Sequence, residues 1–227
     1  MRDNYLKKLE QMQKELFEMG MLCEEAIQKT YRLLVSEQER EELVKAIDVL
    51  EREIDAKERR IEADCIQLFL QQQPVASDLR LISSALKMIT DLERIGDHAT
   101  DIAEILETGS IKVPAKDIDL AKMAEIAMDM INRSVESYVQ KDLEMAREVI
   151  DRDDVLDELF INVRKEISRC SAEKIYTNDQ TLDLLMIAKY YERLGDHATN
   201  VAEWVEFSLT GKHRSGKEVN DVFAVLQ

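Results

Sequence analysis

Four pairs of acidic residues are the part of this sequence best suited to chemistry. Each pair has the spacing acid-x-x-x-acid, which places both side chains on one face of an α-helix. Two carboxylates that point the same way can bind a cation through oxygen ligands, or they can form ion pairs with lysine and arginine. The pairs are Glu51 with Asp55, Glu93 with Asp97, Asp153 with Asp157, and Glu192 with Asp196.

Two of these pairs lie in a stretch that occurs twice. Residues 91–104 recur 99 positions later as residues 190–203, and nine of the fourteen positions are identical. Both copies place a histidine directly after the second acid, and both have a glycine directly before that acid. Because glycine lowers helix propensity, its presence at both positions predicts that another helix approaches closely there. The repetition indicates a tandem duplication in which each half carries the same acidic site.

The other two pairs lie on predicted helices that have an apolar stripe. An acid interrupts the stripe at Glu51 in the first half and, 102 positions later, at Asp153 in the second. The chain has 47 acids among 227 residues, so a single acid-x-x-x-acid pair carries no weight. Four pairs at equivalent positions of two repeats do carry weight. They predict that each half brings two acid pairs together from two adjacent helices.

Carboxylates that lie together and are partly buried need a counter-charge. The pattern favours a bound metal ion, and the alternative is a helix surface on which arginine and lysine neutralise the acids. Oxygen ligands favour magnesium, calcium, manganese or iron over zinc, although carboxylate clusters can also take zinc. His98, His197 and Asp101 are candidates for groups that hydrogen bond to a ligand and orient it. The histidines could equally be ordinary residues of a helix interface.

Apolar residues at helical spacing predict three long helices in each half. The first runs from Tyr5 to about Val35, and a capping box formed by residues 36–39 is expected to start the second, which continues to Gln73. The third begins near Ser77 or Asp78. The predicted fold is all-α, with two tandem homologous three-helix bundles at residues 1–108 and 117–211. A linker at 109–116 and a C-terminal tail at 212–227 complete the chain.

Helix signals in the second half follow the same plan. One helix is expected to end near Lys141, and Asp142 is the predicted cap of the next, which continues to about Cys170. Residues 177–180 form a second possible capping box, and Gly211 is expected to end the last helix near Leu209.

Composition limits the class of protein. The formal net charge of −16 argues against nucleic acid as a partner. Cys23, Cys65 and Cys170 are widely spaced among apolar neighbours, which predicts buried reduced thiols in a cytoplasmic protein. Neither a signal peptide nor an apolar run of 18 residues is recognisable in the sequence, so contact with a membrane is expected to be peripheral at most.

Enzymatic activity is not expected. Di-metal carboxylate enzymes of the helical-bundle type use Glu-x-x-His pairs, and neither His98 nor His197 has a glutamate three residues before it. The sequence also lacks a recognisable P-loop, a Gly-rich dinucleotide turn and a Ser-His-Asp or Cys-His arrangement. Two alternatives remain beside a metal-binding protein without catalytic activity: a metal-independent helical interaction protein and a di-metal carboxylate enzyme.

The acidic motifs resemble those of the PhoU family of phosphate-uptake regulators. The resemblance rests on residues 73–80, 91–97 and 192–200, on the helix count and on the repeat length. It implies two three-helix bundles whose E(D)xxxD motifs hold multinuclear metal clusters, with iron or zinc as the expected metal and manganese or magnesium as further possibilities. By motif, the implied ligands are Glu51, Asp55, Glu93 and Asp97 in the first bundle and Asp153, Asp157, Glu192 and Asp196 in the second.

The resemblance also implies a function. A member of this family is expected to be a homodimeric cytoplasmic adaptor between the ATPase of a phosphate ABC transporter and a sensor histidine kinase, and to restrain phosphate uptake when phosphate is ample. The chain departs from a symmetric pattern at two places. Asp101 is matched by Asn200, and residues 74–80 have no counterpart in the second half.

Overall fold

Six α-helices account for the fold. The computed structural model describes residues 2–36, 38–71, 75–109, 111 and 118–212. The helices are α1 (Arg2–Val35), α2 (Arg40–Gln71), α3 (Ala76–Thr108), α4 (Leu120–Gln140), α5 (Leu143–Ala172) and α6 (Asn178–Thr210). The described ranges contain no β-strand. The predicted fold class, two tandem three-helix bundles, is confirmed.

The two bundles share an extensive interface. Helices α1, α2 and α3 pack against one another, as do α4, α5 and α6. Between the bundles, α1 packs against α4 and α3 against α6. Among the described helices, α2 contacts only α1 and α3, and α5 contacts only α4 and α6. The acid-bearing helices α2 and α5 therefore lie at opposite ends of the molecule.

Apolar stripes of the helices form one continuous core. In α3 the predicted stripe from Ala85 to Leu106 is buried, and its residues recur at steps of three and four. Burial of such side chains stabilises the fold by about 25 cal/mol for each Å² of apolar surface removed from water. All three cysteines are free and buried, as the sequence predicted. No described helix is long and apolar enough to cross a membrane.

Local signals set most helix ends. The Asp142 carboxylate accepts from the backbone N–H groups of Glu144 and Met145, both at 3.0 Å, and so caps α5. Thr177 and Gln180 form the expected capping box of α6. Gly211 ends α6 with φ +75°, in the left-handed region that favours glycine. These three predictions are confirmed.

The predicted start of α2 is wrong. This helix begins at Arg40, and Glu39 precedes it with φ +59°. The Ser36 hydroxyl accepts from the N–H of Gln38, and the Glu39 carboxylate pairs with Arg32 of the preceding helix at 2.8 Å. Both side chains are therefore used locally or across the turn rather than in a capping box. The predicted extension of α2 to Gln73 and the tail from residue 213 onward lie outside the described residues.

Candidate metal centre

The first acidic cluster lies between α2 and α3. Burial, followed by the charges of Asp55 and Asp97, raises the pKa of Glu51. Burial, followed by the charge of Asp97, also raises the pKa of Glu93, and Asp55 contributes. Mutual repulsion of this kind arises only among carboxylates that lie close together. The structure therefore brings the four predicted residues of the first bundle into one cluster.

Glu58 is a fifth member that the sequence reasoning missed. Its pKa is raised by burial and then by Glu62 and Asp55, and its charge also raises the pKa of Glu93. Glu58 follows Glu51 at a seven-residue interval, on the same stripe of α2. That spacing could have identified Glu58 from the sequence. The second repeat has Phe160 at the matching position, so a comparison of the two repeats does not find it.

The second acidic cluster lies between α5 and α6. Burial, followed by the charges of Asp196 and Asp157, raises the pKa of Asp153 to about 6. Burial, followed by the charge of Glu192, raises the pKa of Asp196. The four predicted residues of the second bundle thus also lie together. Asp153 is partly buried, whereas Asp157 and Asp196 are exposed.

Close helix packing accounts for the proximity of the acids in both bundles. A Cβ on Gly96 would lie 3.1 Å from Cδ1 of Ile54, which directly precedes Asp55 and lies about one turn after Glu51 on α2. A Cβ on Gly195 would collide with Cδ2 of the buried Leu156. The predicted close approach at both glycines is confirmed. Each glycine directly precedes an acid of its cluster, so the approach brings the carboxylates of neighbouring helices together.

Basic side chains of the protein already contact several of these acids. Arg94 Nη1 lies 2.9 Å from Asp97 Oδ2, and Arg94 Nε lies 3.5 Å from Glu93 Oε2. Lys189 Nζ forms an ion pair with Glu192 Oε2. Across the described ranges, no three carboxylate, imidazole or thiol groups converge with the spacing of a metal centre.

The donor chemistry of both clusters nevertheless fits a metal cation. All predicted ligands are carboxylates, which suits magnesium, manganese or iron. Burial raises the pKa values of five acids of these clusters, and the charges of neighbouring acids add to each shift; the five are Glu51, Glu58, Glu93, Asp153 and Asp196.

The two histidines lie between the bundles rather than inside the clusters. His98 Nδ1 is 3.2 Å from Asp101 Oδ2, and His197 Nδ1 is 2.8 Å from Asp91 Oδ1. The two imidazole rings lie 5.5 Å apart, in the seam where α3 packs against α6. One residue along a helix is a rotation of about 100°, which turns each histidine away from the preceding acid.

The hydrogen bonds in this seam involve residues outside the predicted ligand set. Asp91 also accepts from Asn200 Nδ2 at 3.0 Å, and the Tyr190 ring lies 5.2 Å from the ring of His98. The histidines are thus groups of the bundle interface, which is one of the two interpretations that the sequence left open. Asp101 partners His98 in this seam.

Two tandem three-helix bundles, each with a carboxylate cluster between its second and third helices, define a class of helical repeat protein with paired acidic sites. The family model for the PhoU domain matches the chain twice, at residues 16–106 and 120–205. The chain belongs to the PhoU family.

Curated relatives agree over nearly the whole length. The phosphate-specific transport system accessory protein PhoU homolog of Clostridium acetobutylicum is 36% identical over 211 residues, which cover 90% of this chain and 93% of the relative. The protein with the same description from Synechocystis sp. is 33% identical over 212 residues, which cover 93% of each chain.

Solved structures share the fold. PhoU from Pseudomonas aeruginosa superposes with a TM-score of 0.84 at 27% identity, over 92% of this chain and 100% of that one. The phosphate transport system regulatory protein PhoU from Streptococcus pneumoniae has a TM-score of 0.83 over 92% of this chain and 98% of that one. At 22% identity, the second likeness concerns the fold alone.

Proposed function

We propose that this protein is an accessory protein of a phosphate-specific transport system that regulates phosphate uptake. The main support is that relatives with that description match about nine-tenths of the chain at 33–36% identity. In this role the protein is a cytoplasmic adaptor, and the ATPase of the transporter and a sensor histidine kinase are its partners. It acts by binding rather than by catalysis, as a homodimer that reaches the membrane only through its partners.

The proposal includes metal ions at the two acidic clusters. Iron or zinc is the expected metal, with manganese or magnesium as further candidates. A bound cation would supply the positive charge that the crowded carboxylates lack, and so would fix the distance between α2 and α3 and between α5 and α6. Glu51, Asp55, Glu93 and Asp97 would hold it in the first bundle, and the acids of α5 and α6 in the second.

Affinity capture from phosphate-replete cells tests the adaptor role. We expect the tagged full-length chain to recover the transporter ATPase. A Glu93→Ala/Glu192→Ala double variant, which removes one acid from each cluster, is expected to recover several-fold less. The matched control is Glu104→Ala/Glu203→Ala, which changes the equivalent acids three turns further along the same helices. Failure of the wild-type chain to recover the ATPase would contradict the adaptor role.

A metal-independent helical interaction protein is the second candidate. The ion pairs of Arg94 and Lys189 favour it, because they show that basic residues can neutralise part of each cluster. Elemental analysis of untagged protein separates the two candidates. If the Glu93→Ala/Glu192→Ala variant contains as much metal as the wild type yet loses the ATPase, the acids serve binding directly and the metal assignment fails.

A further inference from the structure

The two acidic clusters differ at two matched positions. Glu58 of α2 corresponds to Phe160 of α5, with the offset of 102 residues that relates Glu51 to Asp153. Thr90 of α3 corresponds to Lys189 of α6, with the offset of 99 that relates the two copies of the repeated stretch. The second cluster therefore has an aromatic ring and an ammonium group where the first has a carboxylate and a hydroxyl.

The ring and the ammonium group contact each other. Lys189 Nζ lies 5.4 Å from the centroid of Phe160, and it also pairs with Glu192 Oε2 one turn along α6. The side chain of Glu192 is only 12% exposed, so this pair is partly withdrawn from solvent. A cation over an aromatic face and beside a carboxylate is held by both.

The counter-charge of the first cluster is more exposed than that of the second. Arg94 bridges Glu93 and Asp97 with a side chain that is 56% exposed, against 39% for Lys189, and Glu93 is 20% exposed, against 12% for Glu192. An arginine also stands at the matching position of the second repeat, Arg193, so this residue type does not distinguish the clusters.

We propose that Lys189, seated on Phe160, is the resident cation of the second cluster, and that it keeps Glu192 from ligating a metal. The second cluster then binds divalent cations through its three aspartates only and more weakly than the first, in which Glu58 adds a carboxylate. This inference rests on the metal binding included in the proposed function. The family motif implies four ligands in each cluster, whereas this inference removes Glu192 from the ligands of the second cluster.

Equilibrium dialysis of the EDTA-stripped full-length chain with Mn²⁺ tests the inference. The wild type is expected to show a tighter and a weaker class of site. Glu93→Gln should weaken the tighter class by about tenfold, because ligand charge sets the affinity of such sites. Glu192→Gln should leave both classes within about twofold of the wild type, since Lys189 already occupies that carboxylate.

Exchange between the repeats provides the matched test. Lys189→Thr, which introduces the residue of the first repeat, should free Glu192 and tighten the weaker class by about tenfold. Adding Glu192→Gln to that variant should return the Mn²⁺ affinity of the weaker class to its wild-type value. The inference is overturned if Glu192→Gln weakens Mn²⁺ binding as much as Glu93→Gln does, or if Lys189→Thr leaves both classes unchanged.

A measurement without metal separates this inference from the proposed function. A double-mutant cycle of Lys189→Thr and Glu192→Gln, followed by urea unfolding in EDTA, measures the coupling of the two side chains directly. A clear favourable coupling supports the resident-cation assignment even if no variant binds Mn²⁺, which would remove the metal from the proposed function alone. A coupling of zero overturns the assignment whatever the metal analysis gives.

Discussion

Gly20 of α1 lies directly against Val135 of α4, across the boundary between the two bundles. A Cβ on Gly20 would stand 2.7 Å from both methyl carbons of Val135 and 3.0 Å from its Cβ. Val135 is 3% exposed, so the space around it is filled. The absence of a side chain at Gly20 therefore sets how closely α1 and α4 approach.

Gly20→Ala is expected to lower the free energy of unfolding by about 1–3 kcal/mol, the usual cost of overpacking a core. Alanine gains about 1 kcal/mol of helix propensity over glycine, but the stiff β-branched Val135 cannot move both methyl groups aside. Gly96→Ala is the control, because its Cβ would lie farther from its neighbour, at 3.1 Å from Cδ1 and 3.3 Å from Cγ2 of Ile54. Urea unfolding that ranks Gly20→Ala as the more stable variant would contradict the packing argument.

Arg147 of α5 holds the buried Glu206 of α6. Its Nε and Nη2 atoms both donate to Glu206 Oε1, at 2.9 and 2.6 Å, and the side chain of Glu206 is 8% exposed. Arg147→Ala would leave that carboxylate buried and unpaired, so we expect the free energy of unfolding to fall by about 3 kcal/mol.

The first repeat provides the control for this pair. Lys45 occupies the position of Arg147, and its side chain is 70% exposed and pairs with Glu41 at 2.6 Å. Lys45→Ala should leave the free energy of unfolding close to that of the wild type, because ion pairs exposed to solvent contribute little. Equal losses for Lys45→Ala and Arg147→Ala would show that the burial of Glu206 is not what makes its pair important.

The cap of α5 gives a smaller effect. Asp142→Ala removes the acceptor of two backbone N–H groups, so a loss of about 1 kcal/mol is expected in thermal or urea unfolding. Asp142→Asn keeps a side-chain oxygen at the same place and should retain most of the stability. A loss for asparagine as large as for alanine would mean that charge, rather than the hydrogen bonds, accounts for the effect.

Local patterns in the sequence predicted the helices where both ends carry their own signal. Asp142 and the Thr177–Gln180 box cap the helices they precede, because their partners lie within three residues. The predicted start of α2 was wrong because the Glu39 carboxylate pairs with Arg32, a residue of the preceding helix. A capping motif competes with such contacts, and they become visible only in the folded chain.

The sequence predicted those acids of the clusters that occur at matching positions of both repeats. Matching the two halves identified four acids in each, but the same comparison discarded Glu58, whose counterpart is Phe160. The partner of His197 could not be predicted, because Asp91 lies 106 residues away on a helix of the other bundle. Contacts across the bundle interface depend on how α3 meets α6, and helical periodicity does not determine that.

Asp153 makes the stability of the metal-free protein depend on pH. Burial, followed by the charges of Asp196 and Asp157, raises its pKa from 3.8 to about 6 in the folded protein. Between these values the folded state binds more protons than the unfolded chain, so the contribution of Asp153 to stability falls as pH rises from about 4 to about 6. Above about pH 6 the carboxylate is ionised in both states, so its contribution to the free energy of unfolding stays unfavourable and no longer changes with pH. A shift of this size corresponds to at most about 3 kcal/mol, and solvent screening reduces it.

The Asp153→Asn variant isolates this contribution. In EDTA, the stability of wild type relative to the variant is expected to fall by about 1–3 kcal/mol between pH 4 and pH 7. Carboxylates remote from Asp153 affect both proteins equally, including Glu15 and Glu18, whose pKa values are lowered. Asp154→Asn, at the exposed neighbouring position, removes a charge that contributes less to this shift than Asp196 or Asp157 does, so its curve should lie closer to that of the wild type than the curve of Asp153→Asn. Parallel stability curves for wild type and Asp153→Asn would mean that the carboxylates of the second cluster do not repel one another in the folded protein.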